Sequence, residues 1–279
     1  MSNILHSIDN IVRNPVVHLM EHFAGSNRIN NVGYALEEYI KDAFGSTIGW
    51  ENESDKNERR AEVFSWSGTQ NNPPDIIISG GDAIEVKKIQ SPRSSLALNS
   101  SYPKSKLHAD SQLLTQGCRE CEVWEVKDII YAIGYVNQNS LRTLWMVYGD
   151  CYAADREIYE RMADRLTSGI TNTQDIEFSR TRELGRVNRV DPLGITYLRI
   201  RGMWGIDNPS LVFNYVHVPD LRNSFNLAVI MREEKYNSFS EEDKNLITEN
   251  DDIAIRDVRI NNPNNPAVLL NTKLITFSI

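Results

Sequence analysis

Apolar residues recur at helical spacing over Ile4 to His22 and again over Gly33 to Ala43, with Gly45 as a stop signal just beyond. Further on the period drops to two. Ile76 to Ile78 form a β-branched run, Gly80-Gly81 marks a turn, and Ala83 to Ile89 alternate apolar with polar, which predicts a β-hairpin. A helix around Asp110 to Val126 should lead into strands at Asp128 to Val136 and Leu144 to Gly149. A helix over Ala154 to Ser168 precedes strand-rich sequence at Ile195 to Arg201, Val212 to Val218 and Phe225 to Met231. Polar loops are expected near Glu51 to Arg59, Ser67 to Asn72, Ser91 to Ser105 and Thr167 to Asp175. The mixed order predicts an α/β fold, a mixed sheet flanked by helices with further elements appended.

The hairpin carries the chemistry. Side chains alternate faces along a strand, so Glu85 and Lys87 share one face while Ile84 and Val86 point into a core. Whether Asp75 joins them is a matter of register. A two-residue Gly80-Gly81 loop pairs position 75 with 86 and turns the aspartate to the wrong side, whereas a shift of one residue pairs it with 85 or 87. A three-residue loop or bulge near Ser79 to Gly81 is therefore expected, which glycines permit. Magnesium takes oxygen ligands, with one or two carboxylates and several waters as its usual set. Asp75 and Glu85 would supply the carboxylates and the Val86 carbonyl a third oxygen. Lys87 suits the cation that orients a nucleophilic water and offsets negative charge. The same spacing also fits an ordinary solvent-facing Glu-x-Lys pair, with Pro-Asp merely starting a turn. In the helix before the hairpin, Glu37 or Glu38 lies at the edge of the buried stripe. Glu37 is favoured because it follows core-facing Leu36, one turn after Gly33; a solvated acidic face is the alternative for either.

Together these residues resemble a known family. Pro-Asp75 and Glu85-x-Lys87, preceded by a helix with Leu36-Glu37-Glu38, resemble the PD-(D/E)xK nuclease superfamily. More closely, the chain resembles the NgoPII family of type II restriction endonucleases, to which HaeIII-like enzymes with a GGCC target are similar. The resemblance covers nearly the whole chain. It is carried by Ala35 to Tyr39, Asn72 to Asp75, Gly81 to Ile89, Leu96 to Ser101 and Pro103 to Leu107. Further strings are Glu183 to Arg186, Asn188 to Pro192, Ile195 to Arg199, Arg201 to Ile206 and Asn261 to Ala267. The resemblance implies a restriction-endonuclease-like domain over residues 1–279 that hydrolyses both strands of duplex DNA at a short palindrome with Mg2+, leaving 5′-phosphate and 3′-hydroxyl ends. It implies Asp75, Glu85 and Lys87 as the catalytic set, with Glu37 in support. It also implies a cognate DNA methyltransferase as a system partner outside any stable complex.

The overall charge opposes a DNA substrate: 30 Lys and Arg stand against 38 Asp and Glu, a net charge of −8. Phosphate binding depends on local cations, however, and these are segregated. Lys87, Lys88, Arg93, Lys104, Lys106 and His108 follow the hairpin, and Arg180, Arg182, Arg186, Arg189, Arg199 and Arg201 cluster later. Acids concentrate in Glu51 to Glu62 and Glu233 to Asp252. Arginine reads guanine O6 and N7 bidentately, and acidic or amide side chains read complementary edges. Arg186, Asn188, Arg189, Asp191, Arg199 and Arg201 are the base-reading candidates, with Asn99, Ser100, Lys104 and Lys106 nearer the phosphates. Individually each fits a solvated face equally well.

Other signals carry less. Cys118-x-x-Cys121 has redox or zinc spacing but only Cys151 as a further thiol, which reads as free thiols. His18 and His22, one turn apart, read as an exposed helical pair, and Trp124, Trp145 and Trp204 as packing residues. No G-x-x-x-x-G-K-[ST] string indicates a nucleotide-driven motor. At 279 residues the chain can bury a substantial core. It shows no long apolar run, and its start lacks the basic-then-apolar pattern of a signal peptide. Three cysteines suit a reducing cytoplasm. A palindrome cut on both strands is most simply served by a two-fold homodimer, with monomeric or transiently dimeric action left open. Two rivals stand beside this reading: a superfamily nuclease acting on mismatches, junctions or another palindrome, and a DNA-binding module that does not cut. End-mapping of a digested plasmid separates the first, and metal-dependent cleavage lost in Asp75→Ala the second.

Overall fold

The computed structural model describes residues 2–23, 31–69, 72–111, 113–181 and 183–279. Helix α1 (Ile4–Arg13) begins where the Asn3 side chain accepts from the backbone N–H groups of Leu5 and His6, and it buries Ile4, Leu5, Ile8, Ile11 and Val12. It does not run on to His22 as the periodicity suggested. Pro15 lacks an N–H and disfavours helical backbone in the residue before it, so the helix ends at Arg13 and a separate turn, α2 (Leu19–His22), follows. His18 precedes that turn, its Nδ1 3.1 Å from the Ser140 hydroxyl, so it forms no helical pair with His22.

Helix α3 (Val32–Gly45) forms as expected, capped by the Asn31 side chain. Helix α4 (Glu53–Val63) occupies sequence read as a polar loop. It has no apolar stripe to betray it. Asn52 caps it, Glu53 and Asp55 sit in its first turn, and its Lys56 and Arg60 pair with Asp42 and Glu38 of α3.

Strands β1 (Phe64–Thr69), β2 (Asn72–Ile78) and β3 (Ala83–Ile89) follow, then β4 (Leu96–Asn99) and β5 (Lys106–His108). Residues 70 and 71, within an expected polar loop, lie outside the described residues, as does Arg182. The helix expected from Asp110 shrinks to α5 (Gln116–Glu120). The reason is tertiary: β5 pairs antiparallel with the start of β6 (Val126–Asn137), and the Ala109 N–H donates to the Glu125 carbonyl, closing the stretch between them into a loop. Strand β7 (Ser140–Tyr148), the turn α6 (Gly149–Tyr152) and helix α7 (Arg156–Thr171) come next. Three short strands, β8 (Glu177–Ser179), β9 (Gly185–Asn188) and β10 (Leu198–Ile200), form their own small sheet, and β11 (Trp204–Ile206) pairs with β4. Val212 to Val218, read as a strand, instead contains the end of α8 (Pro209–Val212) and a turn, because Asn208-Pro209 starts a helix with proline in its first turn. The chain closes with β12 (Asn226–Arg232), α9 (Glu233–Ser238), α10 (Glu241–Thr248) and a long hairpin of β13 (Ala254–Asn262) and β14 (Asn265–Ser278).

The main sheet runs β1-β2-β3-β6-β7-β12-β14-β13, with β5 beside β6. It is mixed: β3 and β6 are parallel, as are β7 and β12, and its other described pairs are antiparallel. The α/β reading holds. Strands β6, β7 and β12 are buried along most of their lengths, as expected of strands at the centre of a sheet. Helix α3 lies directly on this sheet. A Cβ at Gly134 of β6 would stand 2.6 Å from Leu36 Cδ2, so the close approach of helix and strand requires glycine there. Leu36 is thereby locked in place, and Glu37 follows it.

Candidate active site

In the β2–β3 hairpin, Ile76 pairs with Ile84 and Ile77 with Ala83. The Ile78 N–H donates to the Asp82 carbonyl at 3.0 Å, and the Gly81 N–H donates back to Ile78 at 2.8 Å. Ser79-Gly80-Gly81 is therefore a three-residue loop, with Gly80 in the left-handed region at φ 65°. The loop is gripped from outside: the Gly80 N–H donates to Glu122, and Lys127 donates to the Gly81 carbonyl. Extending this register puts Asp75 opposite Glu85. Backbone pairing of the two strands stops at Ile76 and Ile84, and the Asp75 carboxylate takes over, accepting the Val86 N–H at 2.6 Å. Ile84 and Val86 are buried while Glu85 and Lys87 are half-buried on the other face.

Lys87 Nζ donates to Glu85 Oε1 at 2.5 Å. Burial, then the charge of Glu85, push the Asp75 carboxyl up to about 7, although Lys87 and the Val86 N–H pull the other way and Glu37 adds a smaller push. Burial works against a charged Lys87, yet Glu85 and Asp75 outweigh it and hold the ammonium above its ordinary range. Asp75, Glu85 and Lys87 thus form one electrostatic unit, which Glu37 joins from α3. Its neighbour Glu38 faces elsewhere, bound to Lys41 at 2.9 Å and Arg60 at 2.7 Å within the α3–α4 network. Glu37 also accepts from Lys41, at 2.8 Å.

Two carboxylates on adjacent strands, one pushed up by the other, are a donor set short of positive charge, which suits a divalent ion completed by waters. Among the described residues no group of three or more His, Cys, Asp or Glu is placed to hold a metal, so Asp75 and Glu85 are what this centre offers. The thiols of Cys118, Cys121 and Cys151 are free, and burial pushes Cys118 up to about 12, which leaves it inert.

Lys104 and Lys106 differ from the exposed phosphate contacts that their sequence position suggests. Lys104 is 8% exposed and lines a recess with Glu85, Ser101, Tyr102 and Tyr131. Lys106 is tied to Asp128 and, at 3.5 Å, to Asp150. Both border a groove of about 530 Å³ that continues past His108, Arg156 and Arg180 to Glu183. That groove connects the hairpin's surroundings with the arginine cluster.

Glu183 organises the far end and was missed as a site residue, standing as one acid in an arginine-rich run. Its carboxylate accepts from Arg199 Nε at 2.9 Å, Arg201 Nε at 2.8 Å and the Ser100 hydroxyl at 3.0 Å. The two guanidiniums stay exposed, and Arg201 Nη2 also donates to the Ser100 hydroxyl at 3.3 Å. Arg186 stacks on Tyr197, its Cζ 3.8 Å from the ring centroid. Asn188 donates to Ser179 at 2.7 Å, and Arg189, at φ 50°, lies 3.5 Å from Glu177. Asp191 spends its carboxylate on its own loop, accepting from the backbone of Leu193 and Thr196 and from the Thr196 hydroxyl. Arg93 and Asn99 are exposed and Lys88 is half-buried.

Comparison with known proteins gives a family. The family model described as NgoPII restriction endonuclease matches residues 2–261. The chain is 51% identical over 278 residues to the type II restriction enzyme NgoPII of Neisseria gonorrhoeae, covering 99% of this chain and 100% of that one. No solved structure matches.

Proposed function

The chain belongs to the NgoPII restriction endonuclease family, a site-specific DNA-cleaving enzyme of a restriction system, and from that premise we propose that it hydrolyses both strands of duplex DNA at GGCC through Asp75, Glu85 and Lys87, using Mg2+. The observation that carries this is the three-residue Ser79–Gly81 loop, which brings Asp75 level with Glu85 and so builds a carboxylate pair beside a charged lysine.

Asp75 and Glu85, with the Val86 carbonyl, would hold the cation. Bound there, it supplies Lewis acidity that makes a water more acidic and offsets charge on the phosphate. Lys87 stays protonated at neutral pH, so it serves as a donor that orients the nucleophile and steadies developing charge rather than as a proton acceptor. Glu37 extends the negative field from α3. The ends would carry 5′-phosphate and 3′-hydroxyl groups.

Recognition falls to the groove's other end. Arg199 and Arg201, each held to Glu183 through Nε, would offer their remaining N–H groups to guanine edges. Arg186, Asn188 and Arg189 flank them, with Asp191 shaping the loop that presents them. Lys88, Arg93, Asn99, Ser100 and Lys104 serve the phosphates, and Lys106 joins them by exchanging Asp128 and Asp150 for a phosphate oxygen. Residues 1–279 act as one domain, and two copies related by the palindrome's axis cut one strand each. A cognate methyltransferase protects host sites in the cytoplasm. Among the described residues no helix is long and apolar enough to cross a membrane.

The test is digestion of DNA of known sequence with and without Mg2+, with the ends mapped. Cuts at GGCC that require the ion and vanish in Asp75→Ala support the reading. Cuts at another sequence or at junctions overturn the target, and metal-independent cutting overturns the site.

A further inference from the structure

Four lysines are buried among the described residues: Lys41, Lys56, Lys104 and Lys127. Three of them have carboxylate partners, Glu37 and Glu38 for Lys41, Asp42 for Lys56 and Glu122 for Lys127. Lys104 makes no ion pair among the described residues. Its ammonium donates to the Ser101 hydroxyl and, at 3.5 Å, to the Tyr102 carbonyl, and it lies 5.4 Å from the Tyr102 ring centroid. A buried charge without a counter-ion is costly, so its retention calls for a reason.

Its location suggests one. Lys104 and Glu85 line the same recess of about 20 Å³, room for one water or one phosphoryl oxygen. Lys104 also borders the large groove. Its backbone is pinned on both sides. The Lys104 N–H donates to the Tyr131 hydroxyl at 2.7 Å, and its carbonyl approaches Gly149 so closely that a Cβ there would stand 2.3 Å away. The ammonium is thus presented from a fixed support, as a preorganised contact should be.

We propose that Lys104 is a second active-site lysine whose missing counter-ion is the scissile phosphate of the bound DNA. This rests on Asp75, Glu85 and Lys87 being the cutting centre. Lys87 is already neutralised by Glu85 in the free enzyme, so the two lysines divide the work: one orients the nucleophile, the other holds a phosphoryl oxygen. Burial lowers the Lys104 ammonium from its ordinary range, with Glu85 opposing and Lys87 adding to the shift.

The experiment compares wild type, Lys104→Met, Lys104→Arg and Asp75→Ala on two cognate duplexes, one natural and one with a neutral methylphosphonate at the scissile position. Lys104→Met should cleave natural DNA on the order of 10²-fold more slowly in single turnovers, the usual loss for one preorganised donor. It should bind natural DNA about 10-fold more weakly. On the methylphosphonate duplex it should bind as wild type does, because the charge it answers is gone. Lys104→Arg should recover part of the binding, and free Lys104→Met should melt no lower than wild type. Equal losses of affinity on both duplexes, wild-type cleavage by Lys104→Met, or a lower melting temperature each overturn the proposal. Normal cleavage by Asp75→Ala would instead overturn the site beneath it.

Discussion

Asp75→Asn should abolish cleavage and yet stabilise the metal-free protein at alkaline pH. Burial and Glu85 raise the Asp75 carboxyl from an ordinary 3.8 to about 7. At roughly 1.4 kcal/mol per pH unit, ionising it in the fold costs about 4 kcal/mol relative to the unfolded chain. The sign follows from the raised value. Below pH 3.8 the group is protonated in both states and costs nothing; as pH rises towards 7 the folded state loses stability, and above 7 the whole penalty applies. Asparagine keeps an oxygen for the Val86 N–H, now 2.6 Å from the carboxylate, and carries no charge. Lys87 loses one of its anionic neighbours, which returns part of the gain. The net expectation is about 2 kcal/mol at pH 8.5, or roughly 3–4 °C in melting temperature for a chain of 279 residues. The gap should shrink to less than half by pH 5. Thermal unfolding in EDTA, followed by circular dichroism at both pH values, measures it. Adding a divalent cation should then raise the melting temperature of wild type and leave Asp75→Asn where it was, because only a folded site that binds the ion is stabilised by it. An Asp75→Asn protein that melts at or below wild type at pH 8.5 would refute the idea that burial and the neighbouring Glu85 penalise the ionised Asp75.

Three further expectations concern the frame and the DNA-facing surface. Gly134→Ala forces a methyl to within 2.6 Å of Leu36 Cδ2 and should cost about 1–3 kcal/mol, read by chemical denaturation; an unchanged midpoint would show that α3 lifts off the sheet freely. Glu183→Ala frees both Arg199 and Arg201 and should erode discrimination between the cognate site and a one-base mismatch by about 1–3 kcal/mol. In Glu183→Ala/Arg201→Ala the two losses should not add, and full additivity would mean that Glu183 does not position the arginine. Despite the net charge of −8, affinity for DNA should fall steeply with salt. Four phosphate-facing cations per subunit, Lys88, Arg93, Lys104 and Lys106, predict a log–log slope of about −3.6 per subunit, and a flat dependence would remove the local cations from the interface.

Much of the candidate site's geometry could be read from the chain because its parts are close in sequence. Asp75, Glu85 and Lys87 lie within one hairpin, where alternation of side chains and the geometry of a glycine loop are local rules. Even the loop length could be reasoned out, since only one parity puts Asp75 and Glu85 on the same side. Helix α3 and strands β6, β7 and β12 were equally visible, each with a strong apolar period. Helix α4 was not, because it is polar all round and draws its support from Asp42 and Glu38 across a helix interface. Nor was the loop at 109–125, which helical spacing misrepresents and β5–β6 pairing imposes.

The sequence alone determined which residue types stand in the β2–β3 hairpin and that the two carboxylates would share a face, because backbone parity is a property of consecutive residues. Tertiary structure decided which charges are spent and which remain available. It turned Glu38 into an internal ion network and left Glu37 within reach of Asp75. It gathered Arg199 and Arg201 on Glu183, and it buried Lys104 in a recess with Glu85, where it has no ion-pair partner among the described residues. The physical reason is that a charge is balanced by whatever lies within a few ångströms in space. Ser100 meets Arg201 and Glu183, and Lys104 meets Tyr131, only because distant strands converge.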